Sequence, residues 1–335
     1  MTSTHPIPPR PMRRRRLLLA AGAGLASATL GPARAQTAWP SRPLRMVVAF
    51  PAGGLADVMM RILEPQLTEA LGQPVVIDNR GGAAGNIAAT EVIRNGGDGH
   101  TFLVTVTTTE SVNPAMFRNL PFDPRRDLQH VALLANSQLF LVVKPALPVD
   151  SVKALIGYAK ANPGKLSYGS PGAGTTPHLA GELFKQSAGI FATHIPYRGA
   201  APVIQDVAAG QLDFAFVPGT AFPMVKAGRM KLLAVASRQR TGNYPSAPTF
   251  SELGIDRVFA DTLFGIYAPA AMPAANVARV QQAVNKQLAL ASVKARFSEL
   301  GADALPLSIA EFSKVVQDET QLFTEVIKTR GITAE

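Results

Sequence analysis

The sequence predicts an α/β fold built on open, largely parallel sheets, on three observations. Short apolar or β-branched runs alternate with segments of helical period, the pattern of strand–helix–strand units. Clusters of glycine, serine and threonine stand directly after the strand-like runs and before the helical ones. No unit of roughly 20 to 50 residues recurs, which excludes a solenoid or a propeller.

The strand-like runs are 45–50, 74–79, 101–105, 131–143, 166–169, 193–196, 213–217, 231–236 and 263–268. The first run feeds a helix whose Met59, Leu63, Leu67 and Leu71 recur at four-residue spacing, with Ile62 beside them and Arg61, Glu64, Gln66 and Glu69 elsewhere. That is an amphipathic helix lying on a sheet. Pro65 has no amide hydrogen to donate, which predicts a kink or a break, and Gly72 offers a left-handed C-cap. The glycine-rich clusters span 51–54, 81–86, 105–109, 169–176, 198–200 and 218–220. Ligands of open parallel sheets bind beyond the carboxyl ends of the strands. Each following helix adds unpaired amides and about half a positive charge, so converging loops would hold an anion without needing lysine or arginine.

Composition narrows the class. A chain of 335 residues, 47% hydrophobic and 17% charged, folds and is long enough for two domains. Arg13 to Arg16, the apolar run 17–30 and then Ala33-Arg34-Ala35 form an export signal expected to be cleaved before Gln36; the arginine block fits the twin-arginine type, with a general export signal as the alternative. Removing residues 1–35 takes six arginines and no acidic residue, so the formal charge falls from +10 to +4. A nucleic-acid protein would keep its basic excess in the fold. The absence of cysteine excludes disulfides, a thiol nucleophile, a thiolate metal site and a lipidated N-terminus. The expected product is a soluble, monomeric periplasmic protein.

Several chemical motifs fail on inspection. Gly169 to Gly174 has P-loop spacing, but Thr175 stands where lysine is required, and Pro177 breaks the dinucleotide pattern. Ser170 has Tyr168 two residues before it, so there is no nucleophile elbow. No HExxH occurs and His100, His130 and His194 are scattered, so neither a metal nor a cofactor is expected.

The segments WPSRPLRMVVAFPAGGLADVMMRIL, LGQPVVIDNRGGAAGNIAA, DGHTFLV, NPAMFRNLPFDPRRDLQHVALL, PGKLSYGSPGAGTTPHLAGELF, HIPYRGAAPVIQDVAAGQLDFAF and GRMKLLAVASRQR, in this order, resemble the Bug family. These are periplasmic solute-binding proteins of tripartite tricarboxylate transporters. The resemblance implies a type II periplasmic-binding-protein fold with two α/β lobes, 36–138 plus 263–335 and 139–262, joined by two crossover strands near Gln138 and Thr262. It also implies a small-carboxylate ligand, membrane permease subunits as partners, and no catalysis. The loop matching Phe50 to Gly54 binds one ligand carboxylate through backbone amides and bridging waters in that family. Here Leu55 and Ala56 replace the small and hydroxyl residues usual before Asp57, Val217 to Thr220 replaces a more polar stretch, and Leu263 replaces tryptophan. A cleft more apolar than usual implies an aromatic or otherwise less polar acid. The rival functions are a ligand-dependent partner of a membrane sensor and, further off, a periplasmic hydrolase.

The expected ligand residues are Phe50, Pro51, Ala52, Gly53, Gly54, Ala56 and Asp57 in the first loop, and Thr107 and Thr108 in the third cluster. The fourth cluster and its helix start add Ser170, Gly172, Gly174, Thr175, Thr176 and His178. Arg198, Gly199 and Ala200 follow in the fifth, and Pro218, Gly219 and Thr220 in the sixth. Asp57 either orients a water or a ligand ammonium or stabilises the first helical turn. Arg198 either grips a distal carboxylate with two hydrogen bonds or forms a rim or interlobe ion pair. Ser170, Thr175 and Thr176 bind ligand or cap a helix. His178 caps, packs or contacts the ligand.

Overall fold

The computed structural model describes residues 1–5, 39–240, 242 and 244–330. The expected export signal and its cleavage site fall almost wholly outside them. In chain order the main elements begin with β1 (Leu44–Val48), α1 (Leu55–Leu71), β2 (Val75–Asn79), α2 (Asn86–Arg94), β3 (Thr101–Val106) and β4 (Leu128–Ser137). Then come β5 (Phe140–Val143), α3 (Val152–Ala161), β6 (Ser167–Ser170), α4 (Thr176–Ala188), β7 (Thr193–Pro196), α5 (Ala200–Ala208), β8 (Phe214–Val217) and β9 (Lys231–Val235). The chain closes with β10 (Thr262–Pro269), α6 (Ala274–Leu288), α7 (Ala291–Glu299), β11 (Ala302–Ala304) and α8 (Ile309–Arg330).

The strands form two sheets, β11-β4-β10-β3-β1-β2 and β7-β6-β8-β5-β9, each the centre of one lobe. In the first, β1 runs parallel to β2 and β3; in the second, β6 runs parallel to β7 and β8. Both parallel trios place their first strand in the middle, and an antiparallel strand (β10 or β5) follows the third. The six glycine-rich clusters therefore occupy equivalent places, after β1, β2 and β3 in one lobe and after β6, β7 and β8 in the other.

Apolar faces fix these layers. Val47, Leu103, Leu133, Tyr267 and Phe312 are buried together in the first lobe, and Tyr168, Phe184, Phe214, Phe216 and Phe250 in the second. Each such side chain contributes about 1.5–3 kcal/mol on burial. The chain leaves the first sheet after Ser137, enters the second at Phe140, and returns at Thr262, which pairs with Ser137.

Two local expectations change. The run 131–143 is two strands in different sheets, because Gln138 turns aside to donate its amide to the Gly301 carbonyl. Helix α1 runs unbroken through Pro65. Both Pro65 and Arg61, whose carbonyl the missing amide would have met, lie on the solvent face, where water can satisfy that oxygen. Gly72 does cap α1 in the left-handed region, its amide donating to Thr68.

Candidate functional site

A cavity of about 90 Å³ lies where the strand-end loops of the two lobes face each other. The β1–α1 turn supplies Phe50, Pro51, Ala52, Gly54 and Ala56, and the β6–α4 turn supplies Thr175 and Thr176. Arg198, Gly199 and Ala200 follow β7, and Pro218 follows β8. Those are the expected site residues that the structure brings together. The lobes touch around the cavity: a Cβ built on Gly199 would stand 3.5 Å from Pro51 Cγ, and one on Gly174 would stand 3.4 Å from Met116 Cε.

Local sequence explains the shape of the first turn. Gly54 donates to the Pro51 carbonyl at 3.1 Å, closing a tight turn, and Gly53 takes the left-handed conformation it requires, φ 77°. Asp57, buried on the first turn of α1, accepts from the Gly53 amide and from Arg61 Nε, both at 2.9 Å. Burial works to raise its carboxyl, yet the bonds from Arg61 and Gly53 hold it below the usual carboxylate range. Asn79 Nδ2 anchors the Phe50 carbonyl from the neighbouring strand at 3.0 Å.

Three helices begin at the cavity, and in none does the N-cap residue close its first turn. Gly54 before α1 and Gly199 before α5 have no side chain, and Thr175 before α4 donates its hydroxyl to the Gly172 carbonyl at 2.7 Å instead. First-turn amides that no side chain caps are left to other acceptors. Three positive helix ends, of 17, 13 and 9 residues, meet at one cavity. Among the described residues Arg198 is the only charged side chain lining it, and it is exposed and joined to no carboxylate, so the interlobe ion pair is not formed. The rest is largely apolar, with Phe50, Leu55, Val106, Leu139 and Phe264 around it. The arrangement is suited to an anionic group on a compact apolar body.

The other expected residues stand behind this lining. Gly53 and Asp57 face each other in the turn described above. Thr107 is buried against the Leu263 carbonyl, and Thr108 begins a short buried helix. Ser170 Oγ lies 2.7 Å from His194 Nε2 and bonds to Gly172. His178 Nδ1 accepts the Gly174 amide at 3.0 Å, and its ring stacks on His194 with centroids 3.9 Å apart. Burial pushes His178 down to about 4, so it acts as a neutral acceptor. Gly219 packs against the Leu300 backbone, so closely that a Cβ would meet its carbonyl at 2.3 Å; Thr220 follows it, away from the lining.

A family model described as the tripartite tricarboxylate transporter family receptor matches residues 59–332. The chain belongs to that family. Protein BugT of Bordetella pertussis is 31% identical over 96% of this chain and 99% of its own length, and the resemblance to the Bug family read from the sequence holds. Among solved structures, R. palustris Rpa4515 with adipate is 34% identical, covers 88% of this chain and 99% of its own, and superposes with a TM-score of 0.85. The periplasmic binding protein BugD is 28% identical over 88% of this chain and 99% of its own, with a TM-score of 0.82. The two-lobe periplasmic-binding fold follows for this receptor as well.

Sequence reasoning passed over several lining residues of the receptor. Leu55, Pro171, Pro177, Ala201 and Pro202 adjoin positions already singled out, and their loops pointed to them. Ser137, Leu139, Thr262 and Phe264 belong to the two crossover segments, and Val106 ends β3. Ser137, Leu139 and Phe264 lie in runs read only as strand, Val106 in the third cluster and Thr262 at a crossover, and pairing across the sheet is what brings Ser137 and Thr262 together at the cavity.

Proposed function

We propose that this receptor is a periplasmic solute-binding protein that closes on a small organic carboxylate, aromatic or otherwise less polar, and delivers it to the membrane subunits of a tripartite tricarboxylate transporter. One observation carries the reading: among the described residues, three helix N-termini without side-chain caps and an unpaired Arg198 surround a cavity that no acidic side chain lines. Family membership and the adipate in Rpa4515 support the ligand class. In this reading the lobes, 36–138 plus 263–335 and 139–262, close as rigid bodies about the crossover strands, and residues 1–35 direct export. The unpartnered guanidinium favours an anion at the mouth, and the apolar walls favour a ligand with little other polarity.

The test is mass spectrometry of small acids released on denaturing gently purified protein, followed by a thermal-shift screen of mono- and dicarboxylates. A ligand that binds only the native state must raise the melting temperature, by a stabilisation of about 2.7 kcal/mol at a hundredfold excess over Kd. Recovery of one carboxylate with a matching shift is expected, and Gly54→Trp, which fills the first turn, should abolish the shift in a folded protein. A panel of carboxylates that leaves the melting temperature unmoved throughout would overturn the reading.

A further inference from the structure

The buried hydroxyls are not evenly satisfied. Thr105 and Thr109 bond to each other, Ser111 to Glu319, Ser170 to Gly172 and Thr175 to Gly172. The buried serine and threonine hydroxyls without a partner, among the described residues, are those of Ser137, Thr176 and Thr262, and all three residues line the ligand cavity. They are 0%, 1% and 6% exposed. A buried hydroxyl is costly to leave unpaired, so three of them around one cavity point to a partner brought from outside the chain.

Their placement is specific. Ser137 and Thr262 are register partners across the β4–β10 pair, so their side chains share one face, with Cβ atoms about 4.5–5.5 Å apart. Thr176 opens α4 in the other lobe. On the opposite face of the crossover strands, Asn136 Nδ2 and Ser237 Oγ donate to Asp261 Oδ2, each at 3.1 Å. Burial pushes the Asp261 carboxyl up, with Arg238 and Asp303 acting on it in opposite directions. Among the described residues no cation lines this end of the cavity, and any charge on Asp261 repels a second carboxylate placed there. Among the described residues no carboxylate lines it either, so a ligand ammonium would find no counter-charge there.

We propose that Ser137 and Thr262 recognise a neutral oxygen of the ligand, with Thr176, at the start of α4, turned to its carboxylate, so that the solute is a hydroxy- or oxo-substituted monocarboxylate. This rests on the cavity being a carboxylate site. The carboxylate sits toward the helix ends and Arg198, the carbon body against Phe50, Leu139 and Phe264, and the second oxygen against the crossover strands. A ligand oxygen bonded to both Ser137 and Thr262 ties together the two strands that connect the lobes, which links recognition of that oxygen to closure.

The experiment is calorimetric titration of the purified protein and of S137A, T262V and the double variant with matched probes. These are pentanoate, 4-hydroxypentanoate and 4-oxopentanoate, benzoate and its 3- and 4-hydroxy derivatives, and adipate. The unmodified protein is expected to prefer an oxygenated probe over its parent by about tenfold or more, as sites built to bond a ligand oxygen do. The double variant should lose that preference, its affinity falling more for the oxygenated probes than for their parent acids, because both substitutions nearly keep side-chain volume. Equal affinity for parent and oxygenated probes, tighter binding of adipate than of any monocarboxylate, or a uniform loss for all probes in the variants would overturn the assignment alone. Silence toward every probe would overturn the carboxylate reading and this assignment with it.

Discussion

The β1–α1 and β6–α4 junctions are topological equivalents, and they hold the same backbone shape with opposite chemistry. In each a glycine takes a left-handed conformation, Gly53 at φ 77° and Gly174 at φ 80°. In each its amide donates to the third residue of the following helix, Asp57 at 2.9 Å or His178 at 3.0 Å. The first clamp is a carboxylate braced by Arg61, and the second is a neutral imidazole stacked on another. The difference teaches that the turn needs only an acceptor four residues along, while the charge of that acceptor decides which conditions each lobe tolerates.

Acid should separate the two clamps, and this is the largest effect expected. His178 is held at about 4 and His194 at about 3, both chiefly by burial, and the neighbouring His178 ring further disfavours charge on His194. The unfolded chain therefore binds protons below its ordinary histidine pKa near 6.5 that the folded chain refuses. Stability is complete above that value and falls as pH drops toward about 4, by on the order of 3 kcal/mol for His178 alone. Asp57, whose carboxyl is lowered, keeps its contribution until below the usual carboxylate range. Hydrogen exchange, corrected for its intrinsic pH dependence, should show residues 170–178 losing protection before 50–57 between pH 6.5 and 4. Simultaneous loss would sink the distinction.

The second clamp also depends on close packing that the first lacks. A Cβ on Gly181 would stand 2.2 Å from Tyr168 Cε2, and Tyr168 is fully buried, its hydroxyl donating to Glu182 Oε1 at 2.6 Å and its ring beside His194 and Phe214. Gly181→Ala should cost about 1–3 kcal/mol by overpacking. Urea unfolding measures it, and an unchanged midpoint would mean that the ring layer yields freely.

How much of this was legible in the sequence differs by level. The six loops announced themselves because glycine after an apolar run is a local signal, and all six do follow parallel strands. Neither clamp was legible in its role. A four-residue spacing is generic in any helix, and nothing local says that Asp57 and His178 turn back to a glycine amide rather than toward a ligand. The pattern of the run 131–143 does not show its passage between sheets, since Ser137 and Gln138 scarcely interrupt its apolar character, and the crossing near Gln138 came from the family resemblance alone. Ser137 and Thr262 meet only through strand pairing between distant segments, a tertiary fact without a local trace. Strand β11, three residues long, is held by its pairing with β4 rather than by its own pattern.

The charged clamp can be dissected at neutral pH. Asp57→Ala removes the acceptor of the Gly53 amide and of Arg61, and should cost about 1.5–3 kcal/mol, the range for bonds to a charged group. Asp57→Asn can still accept from Gly53 and loses only the pairing with Arg61, which is more than half exposed, so it should cost clearly less than Asp57→Ala. Equal losses for the two variants, read from urea midpoints, would show that the ion pair rather than the amide bond holds the turn.

The smallest effect compares the two glycines themselves. Gly53 has nothing within 4 Å of a built Cβ, so Gly53→Ala carries only the left-handed backbone penalty, about 1–2 kcal/mol. Gly174→Ala carries the same penalty, but its methyl also meets Met116 Cε at 3.4 Å and Asn113 Oδ1 at 3.8 Å in the opposite lobe. Both variants should therefore lose similar stability. Only Gly174→Ala should also weaken carboxylate binding, by a few-fold, because it crowds the contact that closure makes while leaving the cavity lining intact. Titration of both variants with one carboxylate decides the matter: an affinity loss confined to Gly53→Ala would place the sensitive element in the first turn and leave the Met116 contact without a part in closure.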